Sequence, residues 1–219
     1  MKHVIATLAL VVLLSIPAQA VSVTGRIRFT GRAPGVAVQT IVYGEALDGN
    51  RIQPGQFKLI QRNKSFVPHV LAIPAGSTVS FPNNDPIFHN VFTLSTPGPF
   101  DLGLYRAGTS KDRVFKAPAT YRVFCNIHPQ MSAFVLVVPT SYITEADASG
   151  MYRLDLPAGR YRITAWSERA EPSSVEWTAA VSGAAVPDVT LDESKFVETS
   201  HKNKFGQDYP KAAYDTKKN

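Results

Sequence analysis

An all-β fold is predicted by three observations. Short runs of β-branched and aromatic residues recur along the chain, 16 Pro and 14 Gly punctuate them at close intervals, and no stretch sustains a long helical period. With 219 residues, 44% of them hydrophobic and 18% charged, the chain can build one large domain or two small ones. Collagen-like and disordered classes are excluded.

Val21, Val23, Ile27 and Phe29 repeat with the period of two of a half-buried strand, which ends at the turn 31–35. Residues 39–43 follow as a second strand, and the polar stretch 44–55 reads as a connection between structural units. A new unit begins near Gln56. Strands are expected at 57–61, 66–73, 78–81, 90–94, 113–115, 121–125 and 134–138, most of them separated by Pro, Gly, Asn or Asp. That many short strands make a sandwich with Greek-key connections the expected architecture, interrupted by a surface loop at 97–103. A third stretch, 139–191, carries a turn at 147–150, strands at 152–156 and 161–166 around a Pro-Ala-Gly turn, and renewed alternation at 175–181. Beyond Leu191 the sequence is lysine-rich and without apolar period. Residues 192–219 therefore read as an extended or disordered tail, with Phe196, Phe205, Tyr209 and Tyr214 as side chains able to dock it on the body.

Residues 1–20 read as a cleavable signal peptide: Lys2 and His3, an apolar run over 4–16, then Ala18-Gln19-Ala20. The run is too short for a bilayer span of about 20 residues, so an exported protein without a membrane span is expected, beginning at Val21 in the periplasm. The formal charge of +6 falls to +5 when Lys2 leaves. A balance this modest and scattered argues against nucleic acid and suits an acidic partner. The single cysteine, Cys125, rules out an intrachain disulfide, a zinc knuckle or a Cys-x-x-Cys pair. Thiols in oxidising compartments tend to be paired or occupied, which points to a metal.

Cys125-Asn126-Ile127-His128-Pro129-Gln130-Met131 places a thiolate, an imidazole and a thioether on one short loop after an apolar strand. Soft sulfur ligands select copper over hard cations. Singly, each has an ordinary explanation: a buried cysteine is a small hydrophobe, a methionine fills core, a histidine before proline sits in a loop. A further imidazole, His89, lies in Asn83-Asn84-Asp85-Pro86-Ile87-Phe88-His89-Asn90. Two His, one Cys and a long axial Met together define a trigonal blue-copper site. His69, on an expected strand, reads as structural; His201 lies in the tail and His3 in the leader.

On these two motifs, residues 55–138 resemble the cupredoxins, above all the amicyanin and plastocyanin-like group. The resemblance implies a Greek-key cupredoxin sandwich holding one copper per chain, with His89, Cys125 and His128 as equatorial ligands and Met131 as axial ligand. It implies that Asn90 hydrogen-bonds across to the Cys125 loop and orients it. It also implies that His128 lies near the surface as the electron's exit, within an apolar patch such as Pro86, Ile87, Phe88 and Pro129. The hairpin 152–166 resembles the carboxypeptidase-regulatory or transthyretin-like sandwich, whose first strand 21–29 would match. Residues 21–50 and 139–191 would then close a second small sandwich around the inserted domain 55–138. The whole chain is similar to exported cupredoxin-domain proteins of methylamine utilisation, the run Phe100-Asp101-Leu102-Gly103-Leu104-Tyr105 included.

An enzyme is not expected. Cys125 and His128 sit three residues apart on one tight loop with a thioether, a ligand arrangement with no third group to orient a base. Five histidines without a His-x-His pair cannot build the further imidazole cluster that oxygen reduction needs. Zinc is a poor match because a thioether is a poor zinc ligand. The expected function is one-electron transfer between redox partners by a periplasmic type 1 copper protein. Its partner would be a transiently docked periplasmic redox protein, such as a dehydrogenase or a c-type cytochrome. The alternative is a copper-binding accessory protein for delivery, storage or assembly of a periplasmic enzyme.

Overall fold

The computed structural model describes residues 20–49, 52–180 and 182–209. The expected leader, up to residue 19, and the end of the tail from 210 lie outside the described residues. Seventeen strands and no helix occur among them. In chain order they are β1 (Ala20–Thr30), β2 (Thr40–Ala46), β3 (Gln56–Lys58), β4 (Ile60–Arg62), β5 (Ser65–Val67), β6 (Val70–Pro74), β7 (Ser77–Pro82), β8 (His89–Thr93) and β9 (Phe100–Tyr105). Then follow β10 (Ser110–Phe115), β11 (Ala119–Phe124), β12 (Ser132–Val138), β13 (Ile143–Ala146), β14 (Met151–Pro157), β15 (Gly159–Ser167), β16 (Ala170–Ala179) and β17 (Val189–Asp192).

The middle of the chain forms a sandwich. Its five-stranded sheet has the order β6-β12-β11-β8-β9 and its three-stranded sheet the order β10-β7-β3, with β4 and β5 paired beside them. Alternation explains the core: Ser77, Val79 and Phe81 of β7 are buried while the residues between them are partly exposed. Phe81, Val91, Val123, Val135 and Ile73 meet in one apolar cluster drawn from both sheets.

Strands from the two ends of the chain share the remaining sheets, β14-β1-β17 and β13-β2-β15-β16. Val23 and Ile27 of β1, Leu154 and Leu156 of β14 and Ile163 of β15 form their apolar cluster. β12 joins the two bodies. Ala133, Val135 and Val137 face the first cluster, while Leu136 and Val138 pack with Val70, Ile41 and Trp166 in a third. The unbroken run Phe134-Val135-Leu136-Val137-Val138 is what a strand buried on both faces requires.

The structure departs from the expected elements in several places, among them the following. β2 continues through Gly44 to Ala46, so the connection begins later. A Cβ on Gly44 would stand 3.1 Å from Leu156 and 3.2 Å from Ile163, so the glycine lets two core side chains close over the strand. The run 57–61 is two strands, because β3 pairs with β7 and β4 with β5, and the chain changes partner at Leu59. The run 66–73 breaks at Pro68, which has no N–H to donate. The expected loop 97–103 gives way at Phe100 to β9, which pairs with β8 across a register shift between Asn90 and Phe92.

Residues 193–209, within the stretch read as a tail, contain no regular strand and are docked on the body. Glu193 is buried at 4% exposure, accepting from Arg32 Nε at 2.9 Å, and the segment then runs back to the loop after β11.

Candidate metal centre

His89 opens β8, and Cys125 directly follows β11. Phe124 pairs with Phe92 across these neighbouring antiparallel strands, so two residues 36 positions apart come to one end of the sheet. The loop after Cys125 is closed by its own backbone: the Cys125 N–H donates to the Met131 carbonyl at 3.2 Å, and the Met131 N–H to the His128 carbonyl at 3.0 Å. That closure turns His128 back toward the thiol.

Three donor atoms converge there. His89 Nδ1 and His128 Nδ1 are 3.1 Å apart, and Cys125 Sγ lies 3.9 Å from the first and 3.6 Å from the second. The point equidistant from all three is about 2.1 Å from each, within the range of about 2.0–2.3 Å for metal–nitrogen and metal–sulfur bonds. His89 and Cys125 are fully buried and His128 is 4% exposed, so water has little access to this point. Among the described residues, this is the one cluster of three His, Cys, Asp or Glu side chains with ligand atoms so close.

The surroundings fix the state of each donor. Asp85 Oδ2 lies 2.7 Å from His89 Nε2; with the proton on Nε2, Nδ1 presents its lone pair to the cluster. The Asp85 carboxylate also accepts from the Asn63 and Lys64 amides. Burial pushes Asp85 up, but those amides and the His89 ring outweigh it and hold it below the usual carboxylate range. For His128, burial, the neighbouring His89 and the charge of Lys64 bring the pKa down to about 4, so the ring is neutral at neutral pH and offers a lone pair. Burial raises the Cys125 thiol, while the amides of Ile127, Asn90 and His128 pull the other way. Amides aimed at the sulfur favour a thiolate, and a coordinating metal deprotonates the thiol outright.

The donor set fits a soft first-row metal. A thiolate and two imidazole nitrogens in a near-equilateral triangle suit copper, and zinc would have no fourth strong ligand in this loop. Met131 is fully buried, in the same apolar cluster as Cys125. Its backbone closes the ligand loop at both its N–H and its carbonyl. Asn90 Oδ1 accepts from the Asn126 N–H of the Cys125 loop at 3.2 Å. Its Nδ2 donates to Asp101 Oδ1 at 2.6 Å, tying β8 to β9 as well.

His128 is more buried than an electron exit near the surface would suggest, while Ile87 and Phe88 are exposed at 36% and 54%. His69 stands apart, 3.0 Å from Glu168 Oε2 on the far body. Sequence reasoning assigned no role to Asp85. Its signal is the position four residues before a ligand histidine, just after a turn-forming Asn pair. It also gave no role to Asp101, His201 and Lys204, and named Tyr209 only as a side chain able to dock the tail.

No family model matches the chain, and no curated protein matches it. Solved structures do. The Cu(I) form of an amicyanin mutant is 19% identical over 38% of this chain and 82% of its own, with a TM-score of 0.36. A purple cupredoxin from Nitrosopumilus maritimus is 25% identical over 37% of this chain and 98% of its own, with a TM-score of 0.34. A copper-containing nitrite reductase from Thermus scotoductus is 25% identical over 51% of this chain but 28% of its own, with a TM-score of 0.37. The likeness covers about two fifths to one half of the chain, and the reading of the site stands on its own donor geometry.

Proposed function

We propose that this protein binds one copper ion through His89, Cys125 and His128, with the Met131 thioether as a weak axial ligand, and serves as a one-electron carrier. The observation that carries this reading is the buried triangle of Nδ1, Nδ1 and Sγ with sides of 3.1, 3.6 and 3.9 Å. Copper bound there would supply a Cu(II)/Cu(I) couple. The chain's contribution is to hold the donors so that little moves when the charge changes. Asp85 fixes the tautomer of His89, the 125–131 loop is closed by two backbone bonds, and the core around Cys125 excludes water.

Burial also favours carriage over copper delivery, because a donor protein must expose its ligands to a recipient and these are at most 4% exposed. We further propose a periplasmic setting, consistent with the leader read from residues 1–20, and an exported redox step of methylamine utilisation as the context. The partner we propose is an acidic dehydrogenase or c-type cytochrome. It would dock transiently on the exposed Pro86-Ile87-Phe88 segment beside His89, steered by the positive net charge. No helix among the described residues is long and apolar enough to cross a membrane.

The test is to add Cu(II) to the purified protein and record its visible spectrum. An intense thiolate-to-copper charge-transfer band, lost in Cys125→Ser, is expected. A colourless protein whose thiol still titrates after copper addition would sink the reading. Reversible voltammetry separates the roles: a carrier cycles and keeps its metal, whereas an accessory protein surrenders Cu(I) to a recipient on mixing.

A further inference from the structure

The segment after β17 returns to the loop that carries the thiol, and it does so through specific contacts. The Tyr209 hydroxyl donates to the Cys125 carbonyl at 2.8 Å. The Lys204 N–H donates to Asn126 Oδ1 at 2.9 Å. His201 Nε2 donates to the Pro129 carbonyl at 2.6 Å, and its ring stacks on Phe124 with centroids 4.0 Å apart and planes at 25°. Residues 124, 125, 126 and 129, four of the six that run from the end of β11 to Pro129, are thus gripped from outside. Lys204 Nζ also reaches Asp101 Oδ2 at 2.6 Å, the carboxylate whose other oxygen accepts from Asn90. Since Asn90 accepts in turn from the Asn126 amide, the contacts close a ring around the loop.

The segment is itself built. Asn203 Oδ1 accepts from the Phe205 and Gln207 amides at 2.9 and 3.0 Å, and the Gly206 N–H donates back to the Asn203 carbonyl at 3.0 Å. Gly206, with φ of 76°, takes a left-handed conformation that suits glycine. Lys202 Nζ pairs with Asp208 at 2.6 Å. Tyr209 and His201 brace each other, the hydroxyl lying 3.3 Å from His201 Nδ1. A tight turn therefore presents the two rings to the ligand loop together.

We propose that residues 201–209 form a clamp that positions the Cys125 loop, with Tyr209 and His201 as its two positioning residues. The clamp pins the carbonyls at both ends of the Cys125–Pro129 segment, and it holds the loop in its ligand-binding shape before any metal arrives. Its consequence for copper rests on the proposed function; its consequence for the thiol does not.

The experiment measures the alkylation rate of Cys125 in the metal-free protein. The variants are Tyr209→Phe, His201→Ala, His201→Gln and, as a control on the same segment, Val197→Ser, whose site is 73% exposed. Rates are corrected for any change in global unfolding by urea titration. Because Cys125 is fully buried, alkylation reports local opening of the loop. Tyr209→Phe and His201→Ala are expected to alkylate roughly three- to tenfold faster, the scale of one lost hydrogen bond. His201→Gln, which keeps a donor for the Pro129 carbonyl, should fall back toward the native rate, and Val197→Ser should match it. Native rates in Tyr209→Phe and His201→Ala, or equal acceleration by Val197→Ser, would overturn the clamp. In the copper-loaded protein Tyr209→Phe should shift the reduction potential while the charge-transfer band persists, and an unchanged potential counts against the clamp. Should no variant take up copper, the metal reading fails while the alkylation series still decides the clamp.

Discussion

The Asp85 carboxylate, 2.7 Å from His89 Nε2, determines which nitrogen of that imidazole faces Cys125. A histidine has one donor and one acceptor nitrogen when neutral, so committing Nε2 as donor leaves Nδ1 as a lone pair. Asp85 can hold this position because the Asn63 and Lys64 amides grip its two oxygens. Both of those residues sit in the left-handed region, with φ of 55° and 53°. A turn 22 residues upstream thereby orients the site.

Replacing this carboxylate is the first test of that relationship. Asp85→Asn keeps an acceptor for the turn but removes the charge that favours the protonated Nε2. Copper affinity should fall by about 10- to 100-fold, the usual cost of losing such a partner. Competition against a chelator of known affinity measures it, and native affinity would show that the turn alone orients His89.

Met131→Leu addresses the axial position. Leucine fills nearly the same buried volume, so the fold should change by less than about 1.5 kcal/mol. Copper and its charge-transfer band should be retained. The potential should rise on the order of 60 mV, which is about a tenfold change in relative affinity for the two oxidation states in a one-electron couple. Loss of all copper would contradict a weak axial role.

The metal-free protein should lose stability in mild acid through His128. Its pKa is about 4 in the folded state, against about 6.5 in an unfolded chain. Between these values the unfolded chain binds more protons, so stability rises with pH across the window and is lost as pH falls from 6.5 to 4. The loss is on the order of 2–3 kcal/mol. Urea unfolding at pH 7 and pH 4.5 measures it, and His128→Gln should flatten the difference.

The pair His69 and Glu168 predicts the opposite slope. The hydrogen bond to Glu168 raises His69 above its ordinary value, against the effect of burial. Its stabilisation is therefore fully present below about pH 6.5 and is lost as pH rises through the raised value. The His69 side chain is 43% exposed, so the contribution is small, about 0.5–1 kcal/mol. Glu168→Gln should lower the urea midpoint at pH 6 and leave it nearly unchanged at pH 9.

Much of this protein is determined locally and so was legible in the chain. Val21, Val23 and Ile27, or Tyr152, Leu154 and Leu156, alternate because one face of each strand meets a core and the other meets water. Cys125, His128 and Met131 fall within seven residues, so a single closed loop can carry all three. His89 could be picked out because so few histidines compete with it. β9 was misread because the Pro-Gly-Pro signal at 97–99 was extended too far, and because its partner is chosen by a register shift in β8.

Tertiary structure alone decided the rest. That both imidazoles turn Nδ1 toward one sulfur depends on the pairing of β11 with β8 and on a carboxylate held by a distant turn. The docking of the tail depends on polar side chains meeting backbone carbonyls and an amide 72 to 84 positions away. Such contacts impose no period on the sequence, since any donor at the right place in space suffices. Periodicity records which face of an element is buried; it carries no record of which remote group a hydrogen bond will find.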